Sequence, residues 1–402
     1  MTVEPPATLA EFPAPRTCPF QPPEVHRELR AKHGVFPVAL PSGKHAWLVA
    51  GHEAVRKLLE DSRLSADLKH ENFPVLRAQA VESPLKGTFM RSDGEAHMRI
   101  RRMLNREFTV RRAESMRPMI EQIVDARLDA MEAAGHGVDL VEEYAFPVPS
   151  TVACQVLGVP YEDHEFFQVR TRTMINTTST PDAVRTAAME LYGYLGKLVA
   201  QRAEQPADDL VSRFLAEQVE PGHLEAAELV SISMLLLAGA HETTASMISL
   251  GTLVLLRHPE QLARLRAEPE LMPSAVEELM RYLTVAQVGT FRVATEDLEV
   301  GGVRIPAGDG VILDLASANW DPAAFPEPER FDIGRYARRH VAFSHGPHNC
   351  VGQSLARLEL AVAFERLLAR FPDLRLAVPE EELAFRPHTL GLSGVAALPI
   401  AW

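Results

Sequence analysis

The spacing of apolar and charged positions divides the chain into a largely helical body with a few short strands. From about Glu95 to Leu215 apolar residues recur at helical spacing; Val110 to Met131, with charges between its apolar positions, predicts an amphipathic helix. Glu225 to Arg257 predicts one long helix, apolar on most faces and therefore central, closed by His258-Pro259. Pro273 opens a further helix, PSAVEELMRYL, at the first-turn position that tolerates proline. A last long helix is predicted over Val351 to Phe371. Val35 to Leu40 and Ala46 to Val49 alternate around Pro41-Ser42-Gly43, as a β-hairpin does. Val288 to Val311 predicts short strands with turns at Gly301-Gly302 and Ala307-Gly308. Asp321 to Arg339, with Pro322, Pro326 and Pro328, predicts ordered coil, and the proline-rich residues 1–24 predict an extended arm over the surface. The expectation is one domain over 1–402, mainly α with a minor β-sheet region.

Composition narrows the classes of partner. At 402 residues the chain can bury a large core and enclose a cofactor. Its formal net charge of -13 argues against nucleic acid or an anionic membrane surface as the main partner. Cys18, Cys154 and Cys350 are too few, and odd in number, for a disulfide framework. The N-terminus lacks the basic and apolar regions of a signal peptide, and the longest apolar runs, Ile232 to Ala240 and Met247 to Leu256, fall short of the roughly 18 residues that span a bilayer. A soluble, cytoplasmic monomer is expected.

Four groups of residues could carry chemistry. In AFSHGPHNCVGQSLAR, Ala342 to Arg357, a glycine-containing loop runs into Cys350 at a helix start, where backbone N–H groups favour a thiolate. On the residues alone this is an inert core thiol, a nucleophile with His348 as base, or a metal ligand; the further ligands that zinc requires are not at ligand spacing. In LLLAGAHETTAS, Leu235 to Ser246, polar groups interrupt an apolar helix at a cost unless they are paired or solvated. Glu278 and Arg281 share a helix face at i and i+3, which by itself describes a surface ion pair. His97 and Arg101, at i and i+4, share another.

Together these segments resemble the cytochrome P450 family. Phe343, Gly346, His348, Cys350 and Gly352 match its haem loop, with Ser344 where a glycine is usual. The resemblance implies a P450 fold with a long central helix over haem b (iron protoporphyrin IX) and Cys350 as the axial iron ligand, whose electron donation favours O–O cleavage. It implies Thr243 as the hydrogen-bond partner of bound dioxygen and Glu242 on the proton-delivery route. Ala240 then takes a position often held by glycine beside the haem face. His97, Arg101, Arg292 and His348 would hold the propionates, while Glu278, Arg281 and Arg330 would form a buried structural triad behind the loop. The similarity extends to actinomycete-type members, in PVPSTVACQVLGVPYEDHEFF and the closing ALPIAW.

Such proteins take electrons from a ferredoxin-type donor with its NAD(P)H-dependent reductase and insert one atom of O2 into an apolar small molecule. The present chain has no flavin or nicotinamide segment of its own. Arg102, Arg335, Arg338 and Arg339 are candidates for a basic docking patch. The substrate pocket is expected to include Leu237, Ala238, Val288 and Leu390, within broader walls at Ser65 to Phe89, Phe166 to Tyr194 and Thr389 to Ser393. A bulky, apolar, macrolide-like natural product is the expected substrate. Xenobiotic-oxidising or peroxide-driven chemistry on the same fold is an alternative, and a non-catalytic haem-binding protein is another. The Glu242-Thr243 pair favours monooxygenation.

Overall fold

The structure, a computed structural model, describes residues 9–16, 18–32, 34–77, 89–386 and 391–402. Its axis is the helix Ala226–Arg257, which begins in a capping box: the Glu225 side chain accepts from the third residue's backbone and Glu228 reaches back. Arg257 is its last residue, and Pro259 opens the next helix, Pro259–Ala267. Because the central helix is apolar nearly all round, it is packed on most sides, against helices Pro147–Leu157, Pro181–Glu204 and Gln353–Arg370. Gly251 lets the last of these come close: a Cβ there would stand 2.5 Å from Phe364 Cζ.

The helix expected over Val110 to Met131 is two helices, Val110–Ser115 and Arg117–Ala134, divided at Met116. Pro118 explains the break: it has no N–H to give and its ring would clash with the carbonyl four residues back. The helix opened by Pro273 spans Met272–Leu283. No described helix is long and apolar enough to cross a membrane.

The hairpin forms as expected, Val35–Ala39 antiparallel to His45–Val49, around Gly43 at φ +79. It lies in a six-stranded sheet ordered Ala10–Glu11, Val35–Ala39, His45–Val49, Gly310–Leu313, Thr290–Ala294, Leu64–Ser65. Thr290–Ala294 runs antiparallel to Gly310–Leu313 with Arg292 opposite Val311, which fixes Arg292 at the middle of a strand one in from the Leu64–Ser65 edge. The N-terminal arm departs from expectation. Its described part, from residue 9 on, does not simply lie over the surface: Ala10–Glu11 adds a parallel edge strand, and Phe12 and Phe20 are buried. Burying a phenylalanine is worth roughly 1.5–3 kcal/mol, ample reason for the arm to enter the core.

Candidate active site

Cys350 follows a single 3-10 turn, Gly346–His348, and precedes the helix Gln353–Arg370. The loop closes on itself where Cys350 N–H donates to Phe343 O at 2.8 Å. It is tight: Gly346 has φ +68, and a Cβ there would stand 2.6 Å from Leu59 O. Ser344 holds the left-handed conformation at φ +62, the region its usual glycine would take without strain. Cys350 is accessible by area, yet the protein atoms around it desolvate its sulfur. That burial pushes the thiol up, against the Gly352 N–H and the charges of Arg101 and Arg357, all of which favour the thiolate.

Cationic and imidazole groups converge on this loop. Arg101 donates through Nη1 to Asn349 O at 2.6 Å and through Nη2 to Asn349 Oδ1, so the helix Gly94–Glu107 grips the residue before the cysteine. His97, on the same face, sets Nδ1 against Phe89 O at 2.8 Å and Nε2 against Pro347 O at 3.1 Å. Its ring lies 3.9 Å from that of His348. His348 pairs with Asp93 at 3.5 Å. Burial opposes ionisation of Asp93, but His348, Ser65 and the Ala66 N–H together hold its carboxyl well below the ordinary range. Arg292 is buried; Nη1 donates to Phe291 O at 2.7 Å, and Nη2 is buried without a partner among the described residues. An orphaned guanidinium nitrogen of this kind is costly unless an anion meets it.

The central helix presents a polar face and an accessible one at the same level. Gly239 is exposed, Ala238, Ala240 and Thr243 are half-buried, and a Cβ on Gly239 would meet nothing within 4 Å. Thr243 Oγ1 donates to Gly239 O at 2.8 Å. Leu237 is a correction: it is fully buried in the main core, because the helical turn that opens Gly239 and Thr243 turns Leu237 away. Val288 is half-buried, packed against Phe12, Leu40 and their neighbours and close to Gly391. Leu390 lies outside the described residues. Glu242 is buried and does not meet Thr243. Its Oε2 accepts from Arg386 Nη1 at 2.8 Å and its Oε1 from Arg172 Nη2 at 3.4 Å. Both guanidiniums also lie over the Phe146 ring, at 4.7 Å and 5.5 Å.

Residues 16–186 and 175–389 match the cytochrome P450 family. The chain belongs to that family. It is similar to the vitamin D3 dihydroxylase of Streptomyces griseolus, 48% identical over 97% of this chain and 96% of that protein. Among solved structures, CYP105P1 in complex with filipin I aligns with a TM-score of 0.93 at 44% identity over 98% of this chain and 99% of that one. The mycinamicin VIII C21 methyl hydroxylase MycCI of Micromonospora griseorubida, bound to mycinamicin VIII, aligns with a TM-score of 0.91 at 40% identity over 98% and 100%. This P450 is a haem monooxygenase, and its residues fit the cofactor: an accessible cysteine, a buried guanidinium nitrogen without a partner among the described residues, and small or apolar residues at Gly239, Ala240 and Phe343. Among the described residues no group of three or more His, Cys, Asp or Glu is placed to hold a metal ion.

Behind the loop, Glu278 and Arg281 are fully buried and paired twice, at 2.7 and 2.8 Å. The third member is not Arg330. It is Arg335, whose Nε reaches Glu278 Oε1 at 3.1 Å while its other nitrogens donate to Pro326 O, Glu327 O and Arg330 O. Arg330 is exposed and, among the described residues, pairs with Glu327 alone, at 3.5 Å. The coil turns sharply at Glu327, φ +49, so Arg330 faces outward and the chain returns to Glu278 later. Arg335 is thereby removed from the expected docking patch, and Arg102 is bound to Glu95 at 2.7 Å; Arg338 and Arg339 remain exposed. Sequence patterns gave no sign of Arg172 and Arg386, which lie far from Glu242 along the chain. An acid in an apolar helix did signal that some partner was needed.

Proposed function

We propose that this P450 binds haem b through Cys350 and inserts one oxygen atom from O2 into a bulky apolar natural product, by hydroxylation or epoxidation. The electrons come from a cytoplasmic ferredoxin-type donor and its NAD(P)H-dependent reductase. The observation that carries the reading is the accessible Cys350 on its glycine loop, together with buried Arg292, whose Nη2 has no partner among the described residues. When bound, the haem supplies oxygen activation, and the thiolate's electron donation favours O–O cleavage. Arg292 and Arg101 bind the propionates, with His97 and His348 as hydrogen-bonding neighbours. Asn349 holds Arg101 at the loop. Ala238, Ala240 and Val288 shape an apolar wall for the substrate.

Glu242 and Thr243 handle protons. Thr243 Oγ1 lies on the accessible face; Glu242 lies behind it with both oxygens on arginines. To serve Thr243, Glu242 must turn off one of them. Arg172 is the partner to release, since it is the more distant and its side chain is half exposed, whereas Arg386 is nearly buried. Arg172 then gives the acid its outlet to solvent. The filipin I and mycinamicin VIII bound to the two solved relatives support a macrolide-like substrate.

The test has two stages. The reduced carbon monoxide complex of the parent should carry the spectrum of thiolate-ligated haem, and Cys350→Ser should lose it. With a surrogate ferredoxin chain, NADPH oxidation should then depend on substrate, identified beforehand by spectral titration against a panel of macrolides. Product formed from hydrogen peroxide alone, with none from NADPH, would move the protein to the peroxide-driven class.

A further inference from the structure

Beside Glu278 stands a second acid, Glu277, to which the family pattern gives no part. It is nearly buried on the helix Met272–Leu283, and the one-residue offset turns it toward a different neighbour. His340 Nε2 donates to Glu277 Oε2 at 3.0 Å. The Ala342 N–H donates to His340 Nδ1 at 3.1 Å, which assigns the ring proton to Nε2. Arg357 closes a fork on the same carboxylate, Nε to Oε1 at 2.5 Å and Nη2 to Oε2 at 3.2 Å. The Arg357 guanidinium lies 4.6 Å from the centre of the Phe343 ring. Phe343 is the residue whose carbonyl receives the Cys350 N–H. One carboxylate thus fixes an arginine on the ring that walls the cysteine loop, and cancels its charge there.

We propose that Glu277 is a positioning residue that sets the reduction potential of the haem held by Cys350, by pinning and neutralising Arg357 against Phe343. The proposal rests on Cys350 being the ligand. Reduction of the iron adds one negative charge, so an uncompensated cation near the loop favours the reduced state and an uncompensated anion the oxidised one. Glu277→Gln leaves Arg357 charged and unopposed and shifts the potential positive. Arg357→Gln leaves Glu277 charged, with neutral His340 as its remaining donor, and shifts it negative. A unit charge on the order of 10 Å away, at an effective dielectric near 20, changes such an equilibrium on the order of tenfold. For one electron that is about 59 mV.

The experiment is a spectroelectrochemical titration of the haem-loaded parent, Glu277→Gln, Arg357→Gln and the double variant, with the carbon monoxide spectrum recorded for each. Opposite shifts in the two single variants, with the double variant near the parent, are expected. Shifts of the same sign, or none, would overturn the proposal, because a residue that only braces the loop has no reason to give opposite signs. If Glu277→Gln retains too little haem, Arg357→Lys and Arg357→Gln carry the test. A negative shift confined to the glutamine variant supports the proposal, and equal shifts sink it. If Cys350→Ser keeps the parent spectrum, the ligand assignment itself has failed. If ligation is intact and the potentials do not split, only the role of Glu277 has.

Discussion

Replacing Ser344 by glycine should stabilise this P450. Ser344 is a non-glycine residue at φ +62 in a loop closed at both ends, and its Oγ is buried without a partner among the described residues. A side chain in the left-handed region costs roughly 1–2 kcal/mol. A desolvated, unpaired hydroxyl costs about 1 kcal/mol at the low end of its range. Glycine gives back roughly 0.5–1 kcal/mol through the greater freedom of the unfolded chain. The net gain is about 1–2 kcal/mol. The entropy of unfolding, about 2.1 cal/mol/K per residue, makes each kcal/mol worth roughly 1 °C in Tm for a chain of this length. Calorimetry of the haem-loaded protein should therefore show Ser344→Gly melting about 1–2 °C above the parent. Ser344→Ala, which relieves the hydroxyl but keeps the strained backbone, should recover about half of that. A glycine variant no more stable than the parent would refute the reasoning. An alanine variant that gains as much as glycine would also count against it, since relief of backbone strain would then only offset the roughly 0.5–1 kcal/mol that glycine gives back.

Glu278→Ala leaves Arg281 and Arg335 unpaired in or near the core, a loss of roughly 3–5 kcal/mol, and should yield little haem-loaded protein. Arg330→Ala, at the exposed position, should keep parental haem content by absorbance. The pH dependence of stability should report Glu277: burial opposes its ionisation, but His340 and Arg357 bring its carboxyl from 4.5 down to about 2. A depressed carboxylate contributes stability that is complete above its unfolded pKa and lost as pH falls through the folded one, so melting curves should decline between about pH 4.5 and 2, and Glu277→Gln should flatten that limb. Arg386→Gln should keep haem content and substrate affinity while less of the consumed NADPH ends in product. Gly394→Ala should do the same, because its Cβ would stand 2.8 Å from Arg386 Cδ; unchanged coupling in both variants would remove the arginine clamp from the proton route. Charge reversal at Arg338 and Arg339 should slow reduction by the ferredoxin-type donor and alter its salt dependence in stopped-flow measurements, and unchanged kinetics would remove these residues from the docking surface.

The parts of the site that were legible in the sequence are those set by short-range spacing. The long helix, the hairpin and the cysteine loop each occupy one continuous stretch whose periodicity or turn residues fix them. Arg330 misled because the sequence offers four arginines in one coil, Arg330, Arg335, Arg338 and Arg339, and the path of the chain after the turn at Glu327 decides which returns to Glu278. Leu237 misled for a related reason. A helix apolar on nearly every face carries no mark of which side is open, and burial separates Leu237 from Gly239 two positions on. The counter-ions of Glu242 were out of reach altogether, since Arg172 is 70 residues away and Arg386 is 144. The N-terminal arm failed on composition: its prolines suggest a surface strap, while its two phenylalanines and a free sheet edge draw it inward.

The three-way meeting at Glu242 also constrains how this enzyme can be redesigned. Arg172 belongs to a helix within the stretch expected to wall the substrate, and Arg386 lies just before the C-terminal turn expected to do the same. Exchanging either wall for a relative's, the obvious route to a new specificity, would exchange a counter-ion of the acid as well. On the proton route proposed for Glu242, a graft chosen only for the shape of its pocket should then alter how much oxygen is wasted. Chimeras that hold positions 172 and 386 fixed should separate the choice of molecule from the efficiency with which it is oxidised.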